Sequence, residues 1–294
     1  MMLSEEEYQA VLRTRFPLLL YAARRLDRHE DLATVRDLWD LTVDEMYSLS
    51  VTMCSREDLI DEYVQENPDG MTAEDLAMVE RYRHARVGRF IMLKHLKRYT
   101  VLLGPEDPPV AYGIVGLGEE LSDVFPHVPI LIRTVLLPCG DRISFDGTVL
   151  EAGIIFGSGV RRGFEDEYRE AKARYGVVTS LPFTAEERPD ADVERMKAWT
   201  RSWTSVRENW EEIREMLVKD HALRVLYHQR LGKLAAKGHR KQMRGEGIEG
   251  GWFATIDGTL VAGARTRAEV ERTVEALVPK HKRESVYIYE VKKR

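Results

Sequence analysis

Residues 156–163 read Phe-Gly-Ser-Gly-Val-Arg-Arg-Gly, at the end of an apolar run and at the start of a predicted helix. Gly157, Ser158 and Gly159 leave backbone N–H groups open to close approach, and Arg161 and Arg162 add forked cationic donors. A strand, a glycine-rich loop and a helix N-terminus form the local geometry that holds an anion. The ligand class it implies is a phosphorylated or carboxylated small molecule. Cations in a first helical turn oppose the macrodipole at about 0.3–1 kcal/mol each, unless Glu165 and Asp166 pair with them at i,i+4. Anion binding and helix-surface pairing are both open at this loop. The spacing matches no catalytic signature. Gly163 lies one residue beyond the third glycine of a dinucleotide fingerprint, and the glycines flank Ser158 one residue too close for a nucleophile elbow.

The second feature is a run of charge. Residues 219–244 carry eight Lys and Arg and three His against a single acid, Asp220. That is +7 in a chain of formal charge −5, which leaves −12 elsewhere. Arg230, Lys233, Lys237, Arg240, Lys241 and Arg244 form the candidate basic face. Such a face contacts phosphates or an acidic protein surface, or is simply a solvated helix end that suits the dipole.

The remaining chemistry-bearing residues do not converge. His29, His84, His95, His127, His221, His228, His239 and His281 fall in no metal-ligand spacing, so no metal and no cofactor is expected. His221 and His228 share a helix face, but two turns separate them. Cys139 sits in a Pro-Cys-Gly turn where a reactive thiol could stand, yet no histidine neighbours it in sequence. Asp58, Asp61 and Glu62, and Glu165, Asp166 and Glu167, have the spacing of solvated helix faces. Asp141, Asp146 and His127 are the polar groups nearest the glycine-rich loop, and none is identifiable as a general base. The leading expectation is a non-enzymatic binding or regulatory protein with a protein or nucleic-acid partner. The alternative is an enzyme or sensor of an anionic small molecule at the loop, so enzymatic activity is left open.

The elements that must position these residues form an α+β pattern. Residues 1–98 read as a helical region. Tyr8, Val11, Leu12, Phe16, Leu19 and Leu20 recur at helical spacing, with a break expected near Pro17. A second helical pattern runs from Asp31 to Leu49. Ser55 and Thr72 are expected N-caps, and the face that follows Thr72 is extended through Phe90, Leu93 and Leu96. Residues 99–183 form a β-rich core, a mostly antiparallel sheet with a helix at 160–175. Its expected strands are TVLL, VAYGIVGL, ILIRTVLLP, RISF, TVLEAGIIF and VVTSLPF, with RISF and TVLEAGIIF paired across an Asp146-Gly147 hairpin turn. A linker precedes residues 192–244, read as one long helix. Its heptad-like seam runs through Trp199, Trp203, Val206, Trp210, Ile213 and Leu217. So large an apolar seam needs a covering surface, either the protein's own body or a second copy. Residues 250–294 form a small β-β-α-β module.

Two stretches carry a resemblance. WFATIDGTLVAGARTRAEVERTVEAL and SVYIYEV are similar to a short prokaryotic module of unknown function, usually a C-terminal addition of β-β-α-β order. LIDEYVQENPDGMTAEDLAMVERYRHARVGRFIMLKHLKRY, YGIVGL, VLLPCGDRISFDG, FGSGVRRGFEDEYREAKARYG and VTSLP resemble an uncharacterised bacterial family. The resemblance implies a shared fold and a bacterial cytoplasmic protein, and it carries no activity and no catalytic residue. Composition points the same way. Only Cys54 and Cys139 occur in 294 residues, which fits a reducing compartment. The N-terminus MMLSEEEYQ is acidic where a signal peptide is basic. The apolar runs FPLLLYAA and VPILIRTVLL are too short to span a bilayer, so no membrane is expected.

Overall fold

The computed structural model describes residues 1–26, 32–154, 156–248 and 250–292. They divide into two compact units, Met1–Glu186 and Glu187–Arg294. The predicted α+β class holds, with helices first and a mixed sheet after them.

In the first unit, α1 (Glu5–Arg25), α2 (Val43–Cys54), α3 (Glu57–Glu66) and α4 (Ala73–Arg81) begin at residues that satisfy their free amides. Ser4 with Glu7 and Thr42 with Glu45 form capping boxes, and the Thr72 hydroxyl accepts from the Asp75 amide. Ser55 differs from its expected role. It closes α2, and α3 starts after Arg56. Pro17 does not break α1. Phe16, Leu18, Leu19 and Leu20 are all buried around it, and that burial outweighs the roughly 3 kcal/mol a mid-helix proline costs. Asp31, the expected start of the second helical pattern, lies outside the described residues.

The sheet closes on itself. Its strands are β1 (Arg86–His95), β2 (Thr100–Leu103), β3 (Ala111–Val115), β4 (Ile130–Cys139), β5 (Arg142–Phe145) and β6 (Leu150–Glu151). A short helix, α5 (Leu121–Val124), lies between β3 and β4. β1 pairs antiparallel with both β2 and β4, β2 with β3, and β4 with β5, while β3 and β5 pair in parallel. These five pairings make a ring, a small barrel with no free edge. Phe90, Met92, Leu102, Tyr112, Ile114, Ile132, Leu136 and Ile143 fill its inside as one cluster. On the outside, Val115, Val135, Leu137 and Cys139 pack on the helical layer. Leu93, Val101, Leu103 and Ala111 pack under Phe164, Tyr168 and Ala171 of α6 (Ser158–Tyr175).

The barrel corrects several strand expectations. Residues 86–95 are a strand and not a continued helix, because Phe90 and Met92 face the inside while Ile91 and Leu93 cover the outer wall. A strand buried on both faces reads as an unbroken apolar run, which a helix also does. Asp146-Gly147 does turn with positive φ at Gly147, but β6 pairs with β4 and not with β5. Of TVLEAGIIF only Leu150–Glu151 is strand, and Ile155 lies outside the described residues. VVTSLPF contributes a single bridge, Val178 to Tyr112.

In the second unit the expected long helix is four helices: α7 (Ala191–Trp199), α8 (Trp203–Glu208), α9 (Trp210–Lys219) and α10 (His221–Gly245). Polar residues end each segment. The Ser202 hydroxyl accepts from the Ser205 amide, Asn209 leaves helical geometry, and the extended Asp220 accepts from the Ala222 amide. The chain then folds back, so the apolar seam packs on itself. Met196, Trp199, Val206, Ile213, Met216, Leu223, Tyr227 and Leu231 form one cluster. The β-β-α-β order appears as predicted in β7 (Gly251–Ile256), β8 (Thr259–Ala264), α11 (Arg267–Leu277) and β9 (Tyr287–Val291), with sheet order β8-β7-β9.

One face of that sheet takes α11, through Val270 and Val274 on Ala254 and Ala262. The other takes α10, whose Ala236 and Met243 pack on Phe253, Tyr287 and Tyr289. Gly232 permits the approach: a Cβ there would lie 2.3 Å from Cβ of Tyr287. Gly238, six residues on in the same helix, has nothing within 4 Å of that position. The two glycines therefore predict opposite effects. Gly238→Ala should stabilise the unit by up to about 1 kcal/mol through helix propensity. Gly232→Ala should destabilise it, because a clash of about 1–3 kcal/mol exceeds the same gain. Denaturant unfolding of both variants checks this, and equal signs would contradict the packing described.

Candidate functional site

The glycine-rich segment opens α6, but the helix starts at Ser158 and not at 160, so Ser158 and Gly159 lie in its first turn and Gly157 is its N-cap. Gly157, Ser158, Gly159, Arg161 and Arg162 are all exposed. The Arg161 Nε donates to the Phe156 carbonyl at 3.0 Å, and the Phe156 ring sits edge-on to Phe164 at 4.9 Å. Arg161 therefore helps fold its own loop. The expected partners of the two arginines are engaged with other cations, Glu165 with Lys94 and Asp166 with Arg169. The polar residues near the loop in sequence do not gather there. His127 and Asp141 are exposed, and Asp146 is buried beneath the helical layer.

The basic face divides in two. The Arg230 guanidinium donates to the Thr200 hydroxyl and the Lys197 carbonyl. Arg240 donates to the Glu290 carbonyl and lies over the Tyr289 ring. These two arginines anchor α10 to its own unit. Lys233, Lys237, Lys241 and Arg244 are exposed, at spacings of four, four and three, about a third of a turn round the helix from Gly232, Ala236 and Met243. Among the described residues none of the four has an ion-pair partner. The row spans about 16 Å of helix at 1.5 Å per residue. Gln229, one turn before it, binds the Glu284 and Val286 carbonyls, which brings Lys280, His281 and Lys282 to that end of the helix.

Of the seam tryptophans, Trp199 is buried, with Arg195 over its ring. Trp203 and Trp210 stay 49% and 42% exposed. The heptad-like seam is thus covered by the unit's own helices, and two tryptophan edges remain outside. His228 bonds Asp257 in the β7–β8 turn and does not share a site with His221.

The polar cluster that sequence did not indicate lies in the first unit. Arg15 on α1 donates from Nη2 to Ser50 Oγ on α2 at 2.9 Å and to Asp146 Oδ2 at 3.0 Å. The two charged side chains are 3% and 1% exposed. The Thr148 amide and hydroxyl donate to Asp146 Oδ1 at 3.0 and 2.6 Å. Positive φ at Gly147 allows that turn, which returns the carboxylate to the interior. No linear spacing signals the pair, because 131 residues separate its members.

Two cavities flank α1. One, of about 410 Å³, is lined by Glu6, Glu7, Arg13, Glu74, Asp75 and Arg81, with Cys139 at its wall. Arg13 grips Asp75 through both Nε and Nη2. The other, of about 290 Å³, lies over Arg15 and Asp146. Neither takes a residue from the glycine-rich loop. Cys139, expected in a turn where a reactive thiol could stand, is instead the buried last residue of β4. Burial pushes the thiols of Cys54 and Cys139 up to about 12, and neither is a nucleophile at neutral pH. Among the described residues no three His, Cys, Asp or Glu side chains are placed to hold a metal ion, and no helix is long and apolar enough to cross a membrane. Comparison of the chain with protein-family models, curated proteins and solved structures finds no match.

Two outcomes follow. Arg15→Met leaves a buried carboxylate uncompensated and should cost about 3–5 kcal/mol in urea unfolding. Arg15→Met with Asp146→Leu should cost less than Arg15→Met alone, and additive losses would contradict a coupled pair. The thiols set a pH dependence. The folded values lie above the ordinary 9.0, so their contribution is fully present below pH 9. It is lost as pH rises toward 12, because the unfolded chain releases protons the native state keeps. The urea midpoint should therefore fall between pH 8.5 and 10.5, and fall less in Cys54→Val/Cys139→Val.

Proposed function

We propose that this chain is a non-enzymatic binding protein of the bacterial cytoplasm, whose second unit holds a nucleic acid along α10. The observation that carries this reading is the exposed row of Lys233, Lys237, Lys241 and Arg244, which among the described residues has no ion-pair partner. A helix that needs its charges only for solubility offsets them with acids at i,i+3 or i,i+4, as Glu211 and Arg214, and Glu215 and Lys219, do on α9. The row does not.

The charge distribution supports the same reading. Residues 187–294 hold 23 Lys and Arg against 17 Asp and Glu, a balance of +6, while residues 1–186 carry −11 of the chain's −5. A basic unit joined to an acidic one concentrates attraction for phosphates on one part of the chain and repels them from the other. Backbone phosphate contacts of this kind position a nucleic acid without reading its sequence.

Fluorescence anisotropy with a labelled duplex tests the proposal. The logarithm of the association constant should fall against the logarithm of salt with a slope near −3.6 for four phosphate contacts. Lys237→Ala and Lys241→Ala should each reduce the slope by about one and leave the unfolding midpoint unchanged. Absence of binding at 50 mM salt, or an unaltered slope in both variants, would overturn it. Binding to an acidic protein with no affinity for the duplex would replace the partner class.

A further inference from the structure

The smaller cavity of the first unit is built differently from a surface crevice. Its floor is polar and buried, formed by Arg15, Asp146 and Thr148. Its walls are apolar, through Val11, Leu12, Phe16, Leu38, Met46 and Leu117. Its rim is exposed, with Trp39 64% and Val43 52% accessible, and the Trp39 ring lies against Phe16 at 4.9 Å. A large exposed tryptophan at the mouth of an apolar cavity leaves contact area that a ligand would cover. The volume of about 290 Å³ approaches the lower end of the small-molecule range.

The floor defines the chemistry. Arg15 Nε is buried and has no hydrogen-bond partner, a costly state for a donor. The Asp146 carboxylate accepts at both oxygens, at Oδ2 from Arg15 and at Oδ1 from the Thr148 amide and hydroxyl. The ion pair is therefore charge-balanced, and its buried atom without a partner is a donor, Arg15 Nε. A ligand carboxylate would add an uncompensated negative charge beside Asp146 where the dielectric is low. A ligand cation would stand beside the buried Arg15 guanidinium, a like charge where the dielectric is low. An uncharged acceptor meets both conditions, provided the rest of the molecule is apolar enough for the walls.

We infer that this cavity binds an uncharged, largely apolar small molecule, with an aromatic ring against Phe16 and Trp39 and a carbonyl-type oxygen accepting from the Arg15 guanidinium. Arg15 here has two duties, joining the helices to the barrel and presenting a donor to the ligand. The site lies in a different unit from the α10 row and does not depend on the function proposed for that row.

Three probes of similar size separate the terms: acetophenone has the ring and a neutral acceptor, benzoate the ring and a charge, and ethylbenzene the ring alone. Ligand-observed NMR titration of the full chain should show saturable acetophenone binding, with benzoate and ethylbenzene each at least tenfold weaker. Val43→Trp, a substitution at the exposed rim, should abolish acetophenone binding with no change in the unfolding midpoint. Trp39→Ala provides a second variant and should weaken binding at least fivefold. Benzoate binding as tightly as acetophenone would overturn the charge argument. Equal binding of ethylbenzene would remove the role of Arg15. Undiminished acetophenone binding in both rim variants, or no saturable binding of any probe, would overturn the site.

Discussion

Arg15 and Asp146 are buried together where α1, α2 and the end of the barrel meet, and the arrangement of the first unit depends on them. Taking two charges out of water costs several kcal/mol each, so the pair is not a simple source of stability. Its effect is to make alternatives expensive. Any packing of α1 that moved Arg15 away from Asp146 would leave a buried charge alone, and any register of the loop after β5 that turned Asp146 outward would do the same. The pair therefore selects one placement of the helical layer on the barrel. Ser50 and Thr148 complete it by occupying further polar positions.

Closure of the sheet supplies the rigid body on which that selection acts. With β1 bonded to both β2 and β4, the ring has no edge, and its strands must be apolar on both faces wherever a helix lies outside. The inner cluster around Phe90, Tyr112 and Ile132 and the outer clusters under α1–α4 and α6 are consequences of the same geometry. α6 needs only its Phe164, Tyr168 and Ala171 stripe to hold it on the wall, which leaves its glycine-rich N-terminus at the surface. Two cavities remain beside α1, where charged and apolar side chains share the floor between helices and barrel.

The second unit solves a different problem. Its helical segments carry more apolar surface than one straight helix could cover, and Ser202, Asn209 and Asp220 bend the chain so that the segments cover one another. α10 then lies on the three-stranded sheet at a distance that only a glycine at 232 allows. Because one side of α10 is spent on the sheet and on α7 and α9, its charged residues separate into two groups. Arg230 and Arg240 turn toward backbone carbonyls, while Lys233, Lys237, Lys241 and Arg244 point to solvent. The row on which the proposed function rests is thus the remainder left by packing.

The sequence by itself determined the elements whose signals are local. The cap at Thr72, a helix after the glycine-rich segment and the β-β-α-β order of residues 250–294 all follow from residues within a few positions of one another. So did the excess of positive charge around α10. Tertiary structure decided what depends on distant partners. Residues 86–95 became a strand because two other strands bond to them. The tryptophan seam became a folded bundle and not one helix, because burying its face on itself outweighs continuing the helical hydrogen bonds through Asn209 and Asp220. Asp146, one acid among many in the chain, became a buried and paired carboxylate only when Arg15 met it across 131 residues. Hydrogen bonding along the chain is short-ranged and leaves marks in neighbouring residues. Burial and charge pairing act between residues that only the fold brings together, and no spacing in the chain records them.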